Sequence, residues 1–170
     1  MGITASYYIE RLSLIEHPEG GYFAEVYRSE EEIPEETLPE RYHGKRSFST
    51  SIYFLITSEK FSAFHQVNSD EGWHYYTGNA PIHLHTLSPK GELKTIKLGP
   101  NLAQGEQFQY VVPANHWFAA EVPGEDTFAL VGCTVAPGFD FADFELAERE
   151  PLKIAFPAHQ GIISRLTRVD

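Results

Sequence analysis

The chain is poor in cysteine, in positive charge and in uninterrupted apolar sequence. Cys133 is the one cysteine in 170 residues. An internal disulfide framework is therefore impossible, and a reducing cytoplasm is the simplest expectation. Lys and Arg number 13 against 24 Asp and Glu, a formal net charge of −11. A surface that acidic repels phosphate backbones and argues against nucleic acid as a partner. An anionic ligand would need a local basic patch. No apolar run approaches the roughly 18 residues of a membrane span, and Met1 to Arg11 lacks the basic-then-apolar order of a secretory signal. No membrane partner is expected. The sequence also lacks internal repeats, low-complexity tracts and any domain boundary, so residues 1–170 are expected to form one domain.

What remains is rich in aromatic and β-branched residues. Hydrophobic residues at 42% and aromatics at 14% place the chain among proteins with an ordered core. Thr4 to Ile15 has the spacing of an amphipathic helix, with Thr4 or Ser6 as cap and Tyr8, Ile9, Leu12 and Ile15 on one face. His17-Pro18-Glu19-Gly20-Gly21 stops it. Tyr22 to Arg28 reads as a strand, and the acidic Glu30 to Glu40 as a solvated loop. From Ser47 onward, short strand-like segments follow one another: 47–57, 60–66, 73–77, 82–88, 92–98, 107–113, 117–122 and 127–136. Pro89-Lys90-Gly91 and Pro123-Gly124-Glu125-Asp126 suit hairpin turns. That regular spacing predicts an all-β sandwich or barrel. Asp140 to Glu148 and Pro157 to Arg168 read as short closing helices.

The densest chemistry lies between Phe64 and Gly78, where His65, Asp70, Glu71, Trp73, His74, Tyr75 and Tyr76 crowd together. Alternation puts Glu71, Trp73 and Tyr75 on one strand face and His74 and Tyr76 on the other, unless a bulge near Gly72 reverses it. The pattern resembles the first motif of the cupins, small double-stranded β-helix barrels of the jelly-roll type. His65 takes the first His position, Glu71 the Glu position and Gly78, six residues further on, the closing Gly. Val67 stands where a second His belongs. In the second motif, Pro113-Ala114-Asn115 replaces a Pro-x-Gly turn and Phe118 replaces a His. Asn is the substitute a left-handed turn position accepts. The segments 69–78, 111–117 and 132–144 resemble, more specifically, cupin family 5. This resemblance implies a cupin fold with an N-terminal helix and short C-terminal helices.

A weaker resemblance joins Glu19-Gly20-Gly21-Tyr22-Phe23-Ala24-Glu25, and Cys133-Thr134 with Pro137, to the dTDP-4-dehydrorhamnose 3,5-epimerases. These cupins use a His base and a Tyr acid without metal, and their early strand helps hold a nucleotide sugar. The Arg-Gly-Leu-His-Tyr segment of those enzymes is missing here. Together the residues suggest a small-molecule-binding cupin, with isomerase or epimerase chemistry on a carbohydrate-like or nucleotide-linked ligand. His65, Glu71 and Tyr75 are the candidate acid–base residues. Phe23, Glu25, Trp73, His74, Gln109 and Asp140 are the candidate ligand contacts. A non-catalytic binding protein is the alternative. A metal-dependent cupin is another, in which His74, His83, His85 or His116 would replace the missing ligands. With Val67 and Phe118 in place, no metal or other cofactor is expected. A small molecule is the expected partner, together with a second copy of the chain paired through Tyr22 to Arg28 as a homodimer.

Overall fold

A computed structural model describes residues 3–169. The strands are β1 Ile15–Glu16, β2 Tyr22–Arg28, β3 Glu32–Ile33, β4 Arg46–Ser47, β5 Thr50–Thr57, β6 Ser62–Gln66, β7 Asp70–Gly78, β8 Ile82–Leu87, β9 Leu93–Leu98, β10 Gln109–Val112, β11 Trp117–Glu121, β12 Phe128–Ala136 and β13 Glu145–Leu146. The helices are α1 Ala5–Arg11, α2 Arg149–Ala155 and α3 Gln160–Arg165. One sheet runs β1-β2-β5-β12-β7-β10 and a second runs β13-β6-β11-β8-β9; β3 and β4 pair separately. Every strand pairing in the two large sheets is antiparallel. The sheets do not close into one continuous barrel, although a bridge from Leu98 to Gln107 stitches one edge to the other.

The core follows from strand alternation. Phe54 and Ile56 of β5, Trp73 of β7, and Val131 and Cys133 of β12 point inward from the first sheet. Ile82 and Leu84 of β8, Leu98 of β9 and Phe118 of β11 meet them from the second. The outer faces are covered unequally. Helix α1 lays Tyr8, Ile9 and Leu12 on Leu55, Phe128 and Leu130, while α2 and α3 bring Leu152 and Ile163 onto Phe64, Leu87 and Ala119.

Three elements depart from the sequence expectation. Helix α1 starts as expected, with Thr4 Oγ1 accepting the Tyr7 N–H at 3.4 Å. It stops at Arg11 because Ser13 turns left-handed, and Ile15 enters β1 with its side chain exposed. Asp140 caps only a 3₁₀ turn over Phe141–Asp143, accepting the Ala142 N–H at 2.8 Å. The chain then extends as β13 to pair with β6, and helix begins at Arg149, past the expected segment. At the second motif, Asn115 adopts φ +61°, the left-handed conformation its place in the turn required.

Candidate functional site

The inner face of the first sheet opens at one end into a cavity of about 270 Å³. Strand β2 supplies Phe23, Glu25 and Arg28; β5 supplies Thr50, Ile52 and Phe54; β12 supplies Cys133 and Val135. His65 and Glu71 come from β6 and β7. His17 and Glu19 come from the turn between β1 and β2, and Phe139, Asp140 and Phe141 from the segment after β12. Phe139, Phe141 and Phe144 pack edge to face in that segment. It is anchored by the Arg46 guanidinium, which donates to both Asp143 carboxylate oxygens at 2.6 and 2.8 Å.

Glu19 is the centre of the buried polar network. Its Oε2 lies 3.0 Å from His65 Nε2 and 3.5 Å from His17 Nδ1, and its Oε1 accepts from Ser62 Oγ at 2.8 Å. The turn that delivers it is sharply constrained. Gly20 has φ +107°, and a Cβ there would clash with Phe61 O and Arg168 Nη2. Arg168 donates to the carbonyls of Glu19 and Phe61, tying the C-terminal segment to this turn.

The hydrogen-bond partners fix the protonation of His65. Its Nδ1 lies 2.7 Å from the Ala63 carbonyl, which can only accept, and its Nε2 faces the Glu19 carboxylate. Nδ1 therefore donates, and because the Glu19 carboxyl is held below its ordinary pKa and ionised, Nε2 donates as well, which makes His65 an imidazolium paired with Glu19. Burial opposes the charge on both groups, but each stabilises the other. The His65 pKa is raised above its ordinary value, with Glu71 adding to the pull of Glu19, and the Glu19 pKa is lowered.

For Glu71 the compensation falls short. Burial pushes its carboxyl up to about 7; His65 pulls it down and the Glu19 charge pushes it further up. The nearby Cys133 thiol favours the charged form of Glu71 and is itself held well above its ordinary pKa by burial and the two carboxylates. Trp73 Nε1 is fully buried with no acceptor at good hydrogen-bond geometry. It is close enough to the Glu71 carboxylate to favour the charged form slightly.

The cavity brings together His65, Glu71, Phe23, Glu25 and Asp140 among the sequence-predicted residues. Trp73 shares the Glu71 face but is wholly buried in the core, edge-on to Phe54 and Phe118. Tyr75 also points inward, but it lies beyond the cavity, with its hydroxyl 3.4 Å from Ala80 O. His74 and Gln109 face outward and meet each other at 3.3 Å across the β7–β10 pairing, with His74 Nε2 2.9 Å from Thr134 Oγ1. No bulge intervenes at Gly72; the β7–β12 register shifts only near Leu130 and Val131. In the sequence, His17 reads only as part of a helix stop, and Glu19 as part of that stop and as the start of the segment that resembles the epimerases' early strand; neither is among the candidate site residues named there. The doubled glycine behind an acid was the available signal that this turn presents a side chain.

Comparison with known proteins agrees with this architecture. The sequence profile of the Cupin superfamily (DUF985) matches residues 6–147. The chain belongs to that family. An uncharacterized protein of Saccharomyces cerevisiae is 33% identical over 146 residues, which span 81% of this chain and 72% of the yeast protein. Among solved structures, a hypothetical protein from Leishmania major matches with TM-score 0.89 and 34% identity over 98% of this chain and all of that one. Protein SO0799 from Shewanella oneidensis matches with TM-score 0.87 and 37% identity over 99% of this chain and all of that one. Oxalate decarboxylase from Bacillus subtilis, at 15% identity and TM-score 0.52, covers 89% of this chain with 36% of its own and shares the fold alone.

The side chains of this cupin do not fit the metal that the fold often holds. Val67 lines the cavity and Phe118 packs its ring 4.0 Å from His65, so two ligand positions offer hydrocarbon. His65 has both nitrogens committed. Among the described residues no group of three or more His, Cys, Asp or Glu is arranged to hold a metal ion. Of the substitutes considered, His74 faces out. His85 bonds Thr95 and Glu121 on the second sheet, and His83 packs beside it. His116 Nδ1 lies 3.3 Å from Ala114 O and is not among the cavity residues.

Proposed function

We propose that this cupin is a metal-independent acid–base catalyst of isomerase or epimerase type acting on a small, carbohydrate-like molecule, with Glu71 as the proton carrier. The observation that carries this reading is a carboxyl with a pKa of about 7 in the wall of an open cavity. A group poised near the working pH both accepts and returns a proton efficiently. The His65–Glu19 pair serves it by holding a fixed positive charge nearby. His65 has no free ring nitrogen, so the base expected there is moved to Glu71.

A nucleotide-linked ligand is less well served. Among the described residues Arg28 is the one Lys or Arg side chain that lines the cavity, and it already pairs with Glu25 at 2.8 and 3.0 Å. Glu25 and Asp140 would repel a pyrophosphate, whereas Phe23, Phe54, Phe139 and Phe141 suit the apolar face of a sugar-like ring or chain. The test is exchange of carbon-bound hydrogen with deuterated water, followed by NMR over a panel of sugars and their nucleotide-linked forms. Exchange that disappears in Glu71→Gln supports the proposal. Tight binding of a panel member without exchange would favour the non-catalytic reading, which the engagement of both His65 nitrogens also supports.

The assembly reading is likewise a proposal. β1 covers β2 only at Tyr22 and Phe23. The Ala24 to Arg28 edge is therefore open to a second copy of the chain, which would add its strand beside two cavity residues, Glu25 and Arg28.

A further inference from the structure

We propose that His17 is a second catalytic residue, a neutral Nε2–H donor to the carbonyl oxygen of an uncharged α-hydroxycarbonyl substrate whose carbon-bound proton Glu71 removes. This rests on the reading of Glu71 as proton carrier. Four observations support it. The backbone N–H of Glu19 donates to His17 Nδ1 at 3.2 Å, nearer than the Glu19 carboxylate oxygen at 3.5 Å, which assigns Nδ1 as the acceptor and places the ring proton of the neutral form on Nε2. No acceptor on the described residues meets that Nε2–H. The one sealed, unpartnered polar side-chain atom among them is Trp73 Nε1, so the His17 N–H opens onto accessible space in a ring that lines the cavity. The ring is also fixed in place. Phe141 stacks on it at 6.0 Å, and Phe23 and Phe54 meet it edge-on at 4.7 and 6.0 Å. Finally, burial holds the His17 pKa below its ordinary value; Glu19 opposes the shift and the His65 charge assists it.

A neutral imidazole suits this task. It donates a hydrogen bond where oxyanion character develops, without placing a second buried cation beside the His65 imidazolium. The proton balance closes within the site. Glu71 takes the proton from carbon: the C–H bond breaks and an O–H forms. The electron pair becomes the C=C of an enediolate whose oxygen accepts from His17 Nε2–H. Glu71 then returns the proton to the neighbouring carbon, and the hydroxyl proton passes to the first oxygen. Nothing is oxidised overall and no co-reactant is needed. One base on one face suffices for this 1,2-transfer. Epimerisation would need an acid on the opposite face, and among the described residues no tyrosine lines the cavity. The acidic rim and the engaged Arg28 select for an uncharged substrate.

The experiment uses glycolohydroxamic acid, an uncharged enediolate mimic, its phosphorylated counterpart, and deuterium exchange into dihydroxyacetone and glyceraldehyde. Wild-type protein should bind the uncharged mimic more tightly than the phosphorylated one, shift the His17 Nε2–H resonance on binding, and exchange the carbon-bound hydrogen. His17→Phe should lower the exchange rate about 10²-fold or more with little change in KM, and His17→Gln, which restores an N–H, should recover part of it. Nitrogen-15 NMR of wild-type protein, which does not depend on how the variants fold, should show His17 protonated at Nε2 alone at pH 7. A proton on Nδ1, or full exchange in His17→Phe alongside loss in Glu71→Gln, overturns the role of His17 and leaves Glu71 as carrier. Preference for the phosphorylated mimic overturns the substrate class. Absence of exchange in the wild type with every panel member overturns the reading of Glu71 as well.

Discussion

Two of the His–Glu pairs among the described residues shift their histidines in opposite directions. Inside, His65 Nε2 lies 3.0 Å from Glu19; on the outer side of the second sheet, His85 Nε2 lies 2.9 Å from Glu121. The second nitrogen decides the difference. His65 Nδ1 faces a carbonyl, which only accepts, and Nε2 faces the ionised Glu19, so both nitrogens carry a proton. His85 Nδ1 faces the Thr95 hydroxyl at 2.8 Å, which can donate, so the neutral ring is fully satisfied. Glu121 is also shared with Arg165, whose charge repels a proton from His85, whereas among the described residues the Glu19 carboxylate pairs with histidines and no Arg or Lys; Arg168 reaches only the Glu19 backbone carbonyl. Burial lowers the His85 pKa and Glu121 does not overcome it; for His65, Glu19 and Glu71 do overcome burial. A His–Glu pair is thus a charged device or a neutral strut according to its neighbours.

The largest break in that comparison should come from Glu19→Gln. It strands the His65 charge in a buried site and should destabilise the fold by about 3–5 kcal/mol. Glu121→Gln, where the Arg165 partner is half exposed, should cost less than about 1 kcal/mol. Denaturant unfolding of both variants measures the contrast, and equal effects would dissolve it.

Glu71→Gln should act in the other sense, abolishing proton exchange without loss of stability at neutral pH. Because the folded-state pKa of Glu71 is raised to about 7 from an ordinary 4.5, its contribution to stability is complete below about pH 4.5 and is lost as pH rises through 7. That loss is about 3 kcal/mol. Wild-type stability should therefore decline across this window more steeply than that of Glu71→Gln. His65 contributes in the same direction, its stabilisation lost only as pH rises through its raised pKa. Glu19, with its lowered pKa, loses its contribution as pH falls. Parallel pH profiles for the variant and wild type would contradict the raised Glu71.

Gly20→Ala should destabilise by about 1–3 kcal/mol through the left-handed backbone and the clash with Phe61 O. It should also shift the His65 resonance by displacing Glu19. The smallest effect belongs to the outer face: His74→Ala breaks contacts to Thr134 and Gln109 and should leave ligand binding and exchange within about twofold. A large loss of binding would return His74 to the site.

The fold was readable because strands alternate and their turns are short. The segments expected from Tyr22 to Ala136 became strands within a few residues of their expected ends, and Asn115 took the conformation expected of a glycine substitute. The site was readable where one strand carries it. Alternation sent Glu71, Trp73 and Tyr75 inward, but at roughly 3.3 Å per residue Tyr75 lies about 13 Å along the strand from Glu71, beyond a cavity of this size. His74 and Gln109 were drawn in by motif proximity, although register pairs them on the opposite face. Glu19 and His17 were hidden because their partners are tertiary. Glu19 meets Ser62 and His65 more than 40 residues away, a pairing no local pattern encodes.

The titration of Glu71 decides whether this cavity carries a proton. Carbon-13 NMR of the glutamate side-chain carboxyls, followed from pH 3 to 9, should show one resonance with a midpoint of about 7 that is missing from Glu71→Gln. If every glutamate carboxyl in the wild type titrates in the ordinary range, at about 4 to 5, Glu71 is not the poised proton carrier and the central claim fails.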